Sequence, residues 1–163
     1  MEATSEASSK GSPAIAAPRS SNVQLVLQLK QFYANFSAGT IARLDDIYTQ
    51  DVEFRDPVHT VQGSLGLKNY LRGMATNLTH YRIRYVDELI GDHTAWLTWE
   101  MEYAHPRLEG GKGLTVRGMS QLKFTSKIFY HEDSYDMGAL LYEHVPGLGT
   151  ATRYLKKRLA RQN

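Results

Sequence analysis

Apolar side chains near the start of the chain recur every three or four positions, which is the period of an amphipathic helix. This helix is predicted to begin near Asn22, a good N-cap residue, and to end before Gly39, which suits a helix C-terminus. Its apolar stripe consists of Leu25, Leu29, Phe32 and Phe36. A short second helix is predicted after Thr40, and a third runs from Gly63 to Leu78.

Alternating apolar and polar positions mark the strands. A short extended segment at 52–54 is followed by Asp56 and Pro57, and the proline forces the chain out of regular structure. Four longer strands are predicted in the segments 81–85, 95–103, 114–124 and 128–137. Helices followed by a long meander predict an α+β fold, in which a curved antiparallel sheet wraps around the N-terminal helices.

Composition divides the chain into three parts. Residues 1–21 are dominated by Ala, Ser, Pro, Gly and Glu, so they are predicted to be a disordered leader. Residues 22–137 carry the predicted helices and strands and form one domain. Residues 138–163 are predicted to be a helical, basic C-terminal extension.

The end of this extension combines positive charge with a narrow apolar stripe. The basic side chains are Arg153, Lys156, Lys157, Arg158 and Arg161, and the apolar ones are Tyr154, Leu155 and Leu159. Attachment to an anionic membrane surface is one interpretation of such a helix. Because so few apolar residues make a weak anchor, we expect the stripe to pack on the domain or on a second subunit.

The bulk composition limits the function classes. The 163 residues are 42% hydrophobic and 22% charged, which is ordinary for one globular core. Lys and Arg number 19 against 17 Asp and Glu, so no nucleic-acid partner is expected. The absence of cysteine excludes disulfides, thiolate metal sites and a cysteine nucleophile. No apolar run is long enough to cross a bilayer and no secretory signal is recognisable, so a cytoplasmic location is expected.

The last predicted strand carries the most suggestive set of polar side chains. Phe129, His131, Asp133 and Tyr135 alternate along one face, which places an imidazole, a carboxylate and a phenol on one wall. The alternative is a structural hydrogen-bond ladder in which Asp133 orients His131. No spacing typical of metal ligands accompanies these residues, so neither a metal nor a cofactor is expected.

Three other carboxylates have two interpretations each. Asp56 lies before a proline at a strand end, where it either serves as a base at a pocket mouth or accepts backbone hydrogen bonds in the turn. Glu100 and Glu102 alternate with large apolar residues on their strand. We therefore expect both glutamates to face water and not the pocket.

The segments 51–58 (DVEFRDPV) and 131–136 (HEDSYD), in this order between helices and meander, resemble the SnoaL-like, nuclear transport factor 2-like superfamily. Its members include ketosteroid isomerases, limonene epoxide hydrolases and polyketide cyclases. The resemblance covers most of the chain and implies a cone-shaped α+β fold that encloses a single pocket.

The resemblance to ketosteroid isomerases is partial at the residues that carry the chemistry. Asp56 matches the general base of those enzymes. Phe32 falls at the position of their oxyanion tyrosine, with Tyr33 one residue away, and Ser120 falls at or near their protonated aspartic acid. Because a phenyl ring donates no hydrogen bond, the resemblance argues against steroid isomerisation by that set of residues.

The resemblance to the epoxide hydrolases is also partial. Asp133 matches the aspartate on their last strand. Their catalytic arginine and its neighbouring aspartate fall near Glu100 and Glu102. An acid in place of the arginine repels the other carboxylates, which argues against the hydrolase mechanism too.

These observations predict a small acid/base enzyme that acts on a hydrophobic molecule. Asp133 and His131 would be the proton-transfer pair, Asp56 a second base, and Tyr135 a group that orients or donates. The predicted binding wall comprises Phe32, Phe36, Phe54, His59, Ser120 and Phe129. The alternative is a non-catalytic binding protein of the same fold. Relatives of this fold are often dimers through the sheet face, so a homodimer is expected.

Overall fold

A computed structural model describes residues 19–77, 80–104, 113–137 and 148–160. The helices are α1 (Arg19–Ala34), α2 (Leu44–Ile47), α3 (Ser64–Asn77) and α4 (Leu148–Ala160), with a 3-10 turn at Thr40–Arg43. The strands are β1 (Tyr48–Arg55), β2 (Thr60–Gln62), β3 (His80–Ile90), β4 (Thr94–Ala104), β5 (Leu114–Phe124) and β6 (Ile128–Tyr135). The predicted leader up to residue 18 and the first part of the predicted extension, 138–147, lie outside the described residues.

The six strands form one curved, open sheet in the order β2-β1-β6-β5-β4-β3. Strands β3 to β6 make the predicted antiparallel meander, and β2 pairs antiparallel to β1. The pairing of β1 with β6 is parallel, so the sheet is mixed at this one place. The sequence did not predict this parallel pairing. A hairpin turn fixes two neighbouring strands as antiparallel, but β1 and β6 are far apart in sequence and no hairpin joins them. The predicted α+β cone is otherwise confirmed.

Helix α1 packs along the sheet but differs from its predicted bounds. It begins at Arg19 and ends at Ala34, before Gly39. Asn22 is not its N-cap, because the side-chain amide is buried and donates to the carbonyls of Gly91 at 3.1 Å and Asp92 at 3.0 Å. This pair of bonds satisfies a buried amide and ties the helix to the turn between β3 and β4.

The core lies between the helices and the inner face of the sheet. Its fully buried side chains include Val26, Leu29, Ile41, Leu44, Tyr48, Leu67, Leu71, Leu97, Leu122, Phe124 and Ile128. Burial of each large aliphatic side chain contributes about 1.5–3 kcal/mol relative to exposure. The helices are therefore held by the same apolar face of the sheet that continues into the functional site.

A bulge in β6 changes which side chains face inward. Lys123 pairs with Tyr130 and the next residue, Phe124, pairs with Ile128, so Phe129 is an extra residue without a partner on β5. Ile128 is consequently buried and Phe129 is 40% exposed. The prediction that Phe129 shares a face with His131 is wrong, because the bulge shifts the alternation by one residue.

The outer face of the sheet carries the two glutamates. Glu100 lies opposite Arg84 of β3 and Arg117 of β5, and it forms ion pairs with both. Hydrogen bonding to Arg84, followed by the charge of Arg117, lowers the pKa of Glu100 below its usual value. Glu102 is exposed on the same face. The prediction that both glutamates face away from the pocket is confirmed.

Helix α4 presents its apolar stripe to solvent. Tyr154, Leu155 and Leu159 are 63%, 57% and 68% exposed. Among the described residues the stripe is therefore not packed on the domain, and its packing on a second subunit, the other expected arrangement, stays a prediction. Within the described ranges, no helix is both long and apolar enough to span a membrane.

Two glycines meet geometric requirements that other residues would not. Gly63 adopts a φ of +78°, a left-handed conformation, as its amide bonds to the Val52 carbonyl at 2.7 Å. Gly118 lies opposite Trp99 in the β4–β5 ladder. A Cβ at Gly118 would come within 3.0 Å of three neighbouring atoms of the six-membered ring of Trp99. Contact with three ring atoms at once means that the indole lies with its face on Gly118.

We predict that Gly118→Ala destabilises the protein by about 1–3 kcal/mol, because the added methyl group overpacks the site and displaces the Trp99 ring. Urea unfolding measures the change. The control is Gly73→Ala, since Gly73 lies in α3 with open space around its Cβ position. This control should stabilise the protein by about 0.5–1 kcal/mol through helix propensity. A Gly118→Ala protein as stable as the parent would contradict the packing described here.

Candidate active site in the cone

The sheet, α1 and α3 surround a cavity of about 530 Å³. Its wall is mainly aromatic and thioether surface. Six tyrosines line it: Tyr33, Tyr70, Tyr81, Tyr85, Tyr103 and Tyr135. Phe36, Phe54, Trp99 and three methionines, Met74, Met101 and Met137, supply most of the remaining surface. A cavity of this size and composition suits a small, largely apolar molecule.

Burial keeps the phenols of this cavity protonated. Desolvation raises the pKa of Tyr33, Tyr81 and Tyr85 above the ordinary value of 10.0. The same cause raises the pKa of Tyr135, and it raises the pKa of Tyr103 to about 12. At neutral pH these hydroxyl groups are therefore neutral hydrogen-bond donors.

A continuous series of hydrogen bonds crosses one wall of the cavity, and we call it the His131 chain. Its members in order are Tyr33, Tyr48, His131, Asp133, Ser120 and Trp99. At its centre, His131 is 2% exposed. Its Nδ1 lies 2.6 Å from the Tyr48 hydroxyl, and its Nε2 lies 2.9 Å from Oδ1 of Asp133. Both ring nitrogens of a buried imidazole are thus engaged.

The strand register explains one end of the His131 chain, and a contact with α1 forms the other. Ser120 and Asp133 are direct cross-strand partners in β5 and β6, and Ser120 Oγ donates to Oδ1 of Asp133 at 2.5 Å. The same Oγ accepts a hydrogen bond from Trp99 Nε1 at 2.9 Å. At the other end, the hydroxyls of Tyr33 and Tyr48 are 3.2 Å apart. Side chains from α1 and four strands are joined in this way.

The direction of these bonds assigns a tautomer to His131. In a neutral ring the single imidazole hydrogen lies on Nε2, because an ionised Asp133 only accepts hydrogen bonds, and Nδ1 then accepts. Tyr48 then donates to Nδ1, and its oxygen accepts the hydrogen of Tyr33. Every polar atom between Tyr33 and Asp133 is satisfied with a neutral ring.

The Asp133 carboxylate is the polar group that this arrangement presents to the cavity. Both of its hydrogen bonds, from His131 and Ser120, fall on Oδ1. Within the described part of the chain, Oδ2 has no hydrogen-bond partner. The side chain is 20% exposed and lines the cavity. One oxygen is thus fixed and the other is left for a ligand.

Asp56 is held much more tightly than Asp133. Its Oδ1 accepts the backbone N–H groups of Val58 and His59, each at 2.7 Å, and its Oδ2 accepts the hydroxyl of Tyr70. The His59 ring lies 3.3 Å from Oδ1, and only 2% of the Asp56 side chain is exposed. These bonds occupy both oxygens and make Asp56 an acceptor for the turn, the alternative that the sequence left open.

The structure brings most of the predicted site residues to one cavity. Asp56, His131, Asp133 and Tyr135 line it, together with Phe36, Phe54, His59 and Ser120. Phe32 does not, because it is buried in the core, where its ring meets Tyr33 edge-on at 5.1 Å. Phe129 is on the outer face, as described above. Both were predicted to belong to the binding wall, and both predictions are wrong.

Three members of the site were not singled out from the sequence. Tyr33 faces the cavity instead of Phe32, and the spacing of Leu29, Tyr33 and Phe36 is as helical as the stripe that was chosen. Tyr48 lies at the start of β1, just after the short helix α2, and no sequence signal connects its hydroxyl with His131. Tyr70 lies within the predicted third helix, and no sequence signal connects its hydroxyl with Asp56.

No three His, Asp or Glu side chains in the described ranges come together as a metal site would require. The arrangement consists of one cavity, one partly free carboxylate and many neutral donors. Fold and site together define a small-molecule pocket protein of the α+β cone class.

A protein-family model for the SnoaL-like domain matches residues 29–131, more than half of the chain. The chain therefore belongs to the SnoaL-like family, as its sequence resemblance implied. Among curated proteins, no sequence matches it.

Solved structures with the same fold share little sequence with this chain. TerC, crystallised with polyporic acid, is 20% identical, with a TM-score of 0.62 over 74% of this chain and 95% of its own. A candidate SnoaL-like polyketide cyclase from Jannaschia sp. CCS1 is 13% identical, with a TM-score of 0.65 over 81% and 94%. TsrD from Streptomyces laurentii is 19% identical, with a TM-score of 0.62 over 76% and 94%. At these identities the similarity is one of fold.

The buried tyrosines predict a loss of stability at alkaline pH. In the folded protein their pKa values lie above 10.0, the ordinary value at which they ionise in the unfolded chain. The stabilisation is complete below pH 10 and is lost as pH rises, because only the unfolded state then gains from ionisation. One pH unit above 10, each such tyrosine lowers the free energy of unfolding by about 1.4 kcal/mol.

Urea unfolding near neutral pH, and again about one pH unit above the ordinary tyrosine pKa of 10.0, measures this loss. Tyr48→Phe removes one of these phenols, so the variant should lose about 1.4 kcal/mol less than the parent over the same pH interval. An unfolding free energy that is constant across this interval would show that the phenols are not buried as described.

Proposed function

We propose that this protein is an acid/base enzyme that transfers a proton within a small hydrophobic molecule, with Asp133 as the proton-transfer group. The observation that carries the proposal is the asymmetry of the Asp133 carboxylate. Its Oδ1 is held by His131 and Ser120, and its Oδ2 has no partner among the described residues. A base that is oriented beforehand in a mainly apolar cavity is what proton transfer requires.

The proposed step is the removal of a proton from a carbon next to an electron-withdrawing group of the ligand. The C–H bond breaks, the proton goes to Oδ2 of Asp133, and the electron pair moves into the adjacent π system. The carboxylic acid then returns the proton to a different atom, which completes an isomerisation or assists a ring closure. Hydrolysis by activation of a water is the third reaction type that such a carboxylate serves.

The other residues of the site have supporting roles in this proposal. His131 orients Asp133 through Nε2 and is itself oriented by Tyr48. Tyr135 lines the cavity with a phenol whose raised pKa keeps it protonated, so it is suited to donate a hydrogen bond to the ligand. Asp56 remains a second base only in an altered turn, because its present bonds occupy both oxygens.

The comparisons favour a ligand of the size of a small natural product. TerC was crystallised with polyporic acid, and the Jannaschia protein is a candidate polyketide cyclase. We propose by analogy that the cavity of this chain accepts one molecule of similar dimensions. We also propose a cytoplasmic location.

A non-catalytic binding protein is the second candidate function. It is favoured by the turn bonds of Asp56, which occupy both oxygens of the carboxylate that matches the base of the isomerases. In that case the cavity holds a ligand and no proton leaves it. The two candidates differ in whether an exchangeable ligand proton is lost to solvent.

We also propose that the protein is a homodimer through the outer face of the sheet. Leu89, Trp96 and Met119 are exposed there, and a second copy would cover them. Light scattering that reports a monomer would count against this arrangement.

Proton exchange measures the proposed chemistry without knowledge of the final product. We predict that the protein accelerates deuterium exchange at the acidic CH₂ of β-tetralone, a bicyclic ketone, in heavy water followed by NMR. Asp133→Asn keeps the shape of the side chain but removes the base, so the accelerated rate should fall by about 10²–10⁴-fold. The loss follows because an amide oxygen does not take up the proton.

Glu132→Gln is the matched control, since Glu132 is the next residue in β6 and does not line the cavity. Its exchange rate should equal that of the parent. If Asp133→Asn exchanges the probe as fast as the parent, or if the parent does not accelerate exchange, the catalytic proposal is wrong and the binding alternative stands.

A further inference from the structure

The charges around the cavity are of one sign. Its wall contains the carboxylates of Asp56 and Asp133, and no Lys or Arg of the described residues lines it. The cavity wall also contains two histidines: His131, whose two ring nitrogens are engaged by Tyr48 and Asp133, and His59, which is half exposed and beside Asp56. An anionic ligand would therefore meet carboxylates without a cation to pair with.

Oδ2 of Asp133 is the strongest acceptor that the cavity offers. The oxygens of Asp56 are already engaged by Val58, His59 and Tyr70. A positively charged N–H group is the partner that gives a carboxylate its strongest hydrogen bond. No described protein side chain supplies such a group to Oδ2.

Trp99 adds an aromatic surface to the same wall of the cavity. One face of its six-membered ring lies on Gly118, so the ring meets the cavity through its other face or its edge. Ser120 bridges the indole Nε1 and the carboxylate of Asp133, so the N–H edge of the ring is directed towards the carboxylate. A cation held at this carboxylate is attracted by its charge and, where the free face of the indole meets the cavity, by the ring quadrupole as well.

We propose that the ligand of this cavity is an organic nitrogen cation, a ring-bearing ammonium or iminium ion, whose charged end lies between Oδ2 of Asp133 and Trp99. The inference rests on the proposed function to the extent that the cavity is the ligand site. The apolar ring of the ligand would occupy the rest of the cavity, whose wall is aromatic. The ligand class therefore differs in charge from an acid such as the one crystallised with TerC.

A cationic ligand also makes the chemical step independent of an oxyanion donor such as the tyrosine that the isomerase resemblance places at Phe32. In an iminium ion, Asp133 takes a proton from the carbon next to the C=N⁺ group, and the C–H electron pair forms a C=C bond. The π electrons of the C=N⁺ bond move to nitrogen, which becomes neutral. Because no negative charge develops on an oxygen, the step does not need an oxyanion hole.

Three probes with the same ring and different charge test the inference: naphthylmethylamine, naphthylmethanol and naphthoate. Calorimetric titration of the full chain should give an affinity for the amine that is about tenfold or more above that for the alcohol. Naphthoate should not bind measurably, because it brings a second negative charge to Asp133.

Single substitutions show which side chains cause the preference for the amine over the alcohol. Asp133→Asn should remove the advantage of the amine and leave the affinity for the alcohol within about twofold. Trp99→Phe retains an apolar ring and should lower the affinity for the amine several-fold more than the affinity for the alcohol, since indole is the best cation-binding ring. Asp46→Asn removes an equal charge from an exposed side chain outside the cavity and should change nothing.

The outcomes separate the two proposals. If the alcohol or naphthoate binds the parent as tightly as the amine, the cation inference is overturned and the cavity remains a ligand site. If the amine is preferred equally by the parent and by Asp133→Asn, the inference is also overturned, because the preference then arises elsewhere. If none of the three probes binds, the proposed ligand site itself is wrong.

Discussion

The buried imidazole of His131 is the group on which the site depends. It lies between β1 and α1 on one side and β5 on the other, and each ring nitrogen needs a partner because the side chain is 2% exposed. Tyr48 meets one nitrogen and Asp133 the other. The parallel pairing of β1 with β6 brings Phe54 beside His131 and closes the wall. A buried polar network of this kind has to be satisfied at every member, so it also fixes the position of Asp133.

The aromatic cavity and the polar chain have a common origin in the alternation of the strands. The inward positions of β4, β5 and β6 are mostly apolar, and the polar side chains of Ser120, His131 and Asp133 lie next to one another among them. Gly118 provides the space for the Trp99 ring, which continues the chain to β4. The scaffold therefore supplies an oriented carboxylate without any charged partner from Lys or Arg in the described wall.

Periodicity and turn residues were sufficient to predict the α+β class, the three N-terminal helices, the meander and the common face of His131, Asp133 and Tyr135, whereas the cone with its pocket was implied by the family resemblance. They did not predict the bulge at Phe129, because an extra residue in a strand leaves no mark in a short alternating pattern. The choice between Phe32 and Tyr33 depends on the rotation of α1 against the sheet, which tertiary packing sets. Local sequence patterns also do not predict hydrogen bonds between residues that are distant in sequence, such as Tyr48 and His131.

The tautomer of His131 tests the account most directly. Nitrogen NMR of the histidine-labelled protein distinguishes a ring nitrogen that carries hydrogen from one that does not. The account predicts a hydrogen on Nε2 and none on Nδ1 of His131, with Nδ1 perturbed in Tyr48→Phe when its donor is removed. A hydrogen on Nδ1 would contradict it, because Tyr48 would then accept instead of donate and the assigned direction of the chain to Asp133 would be wrong.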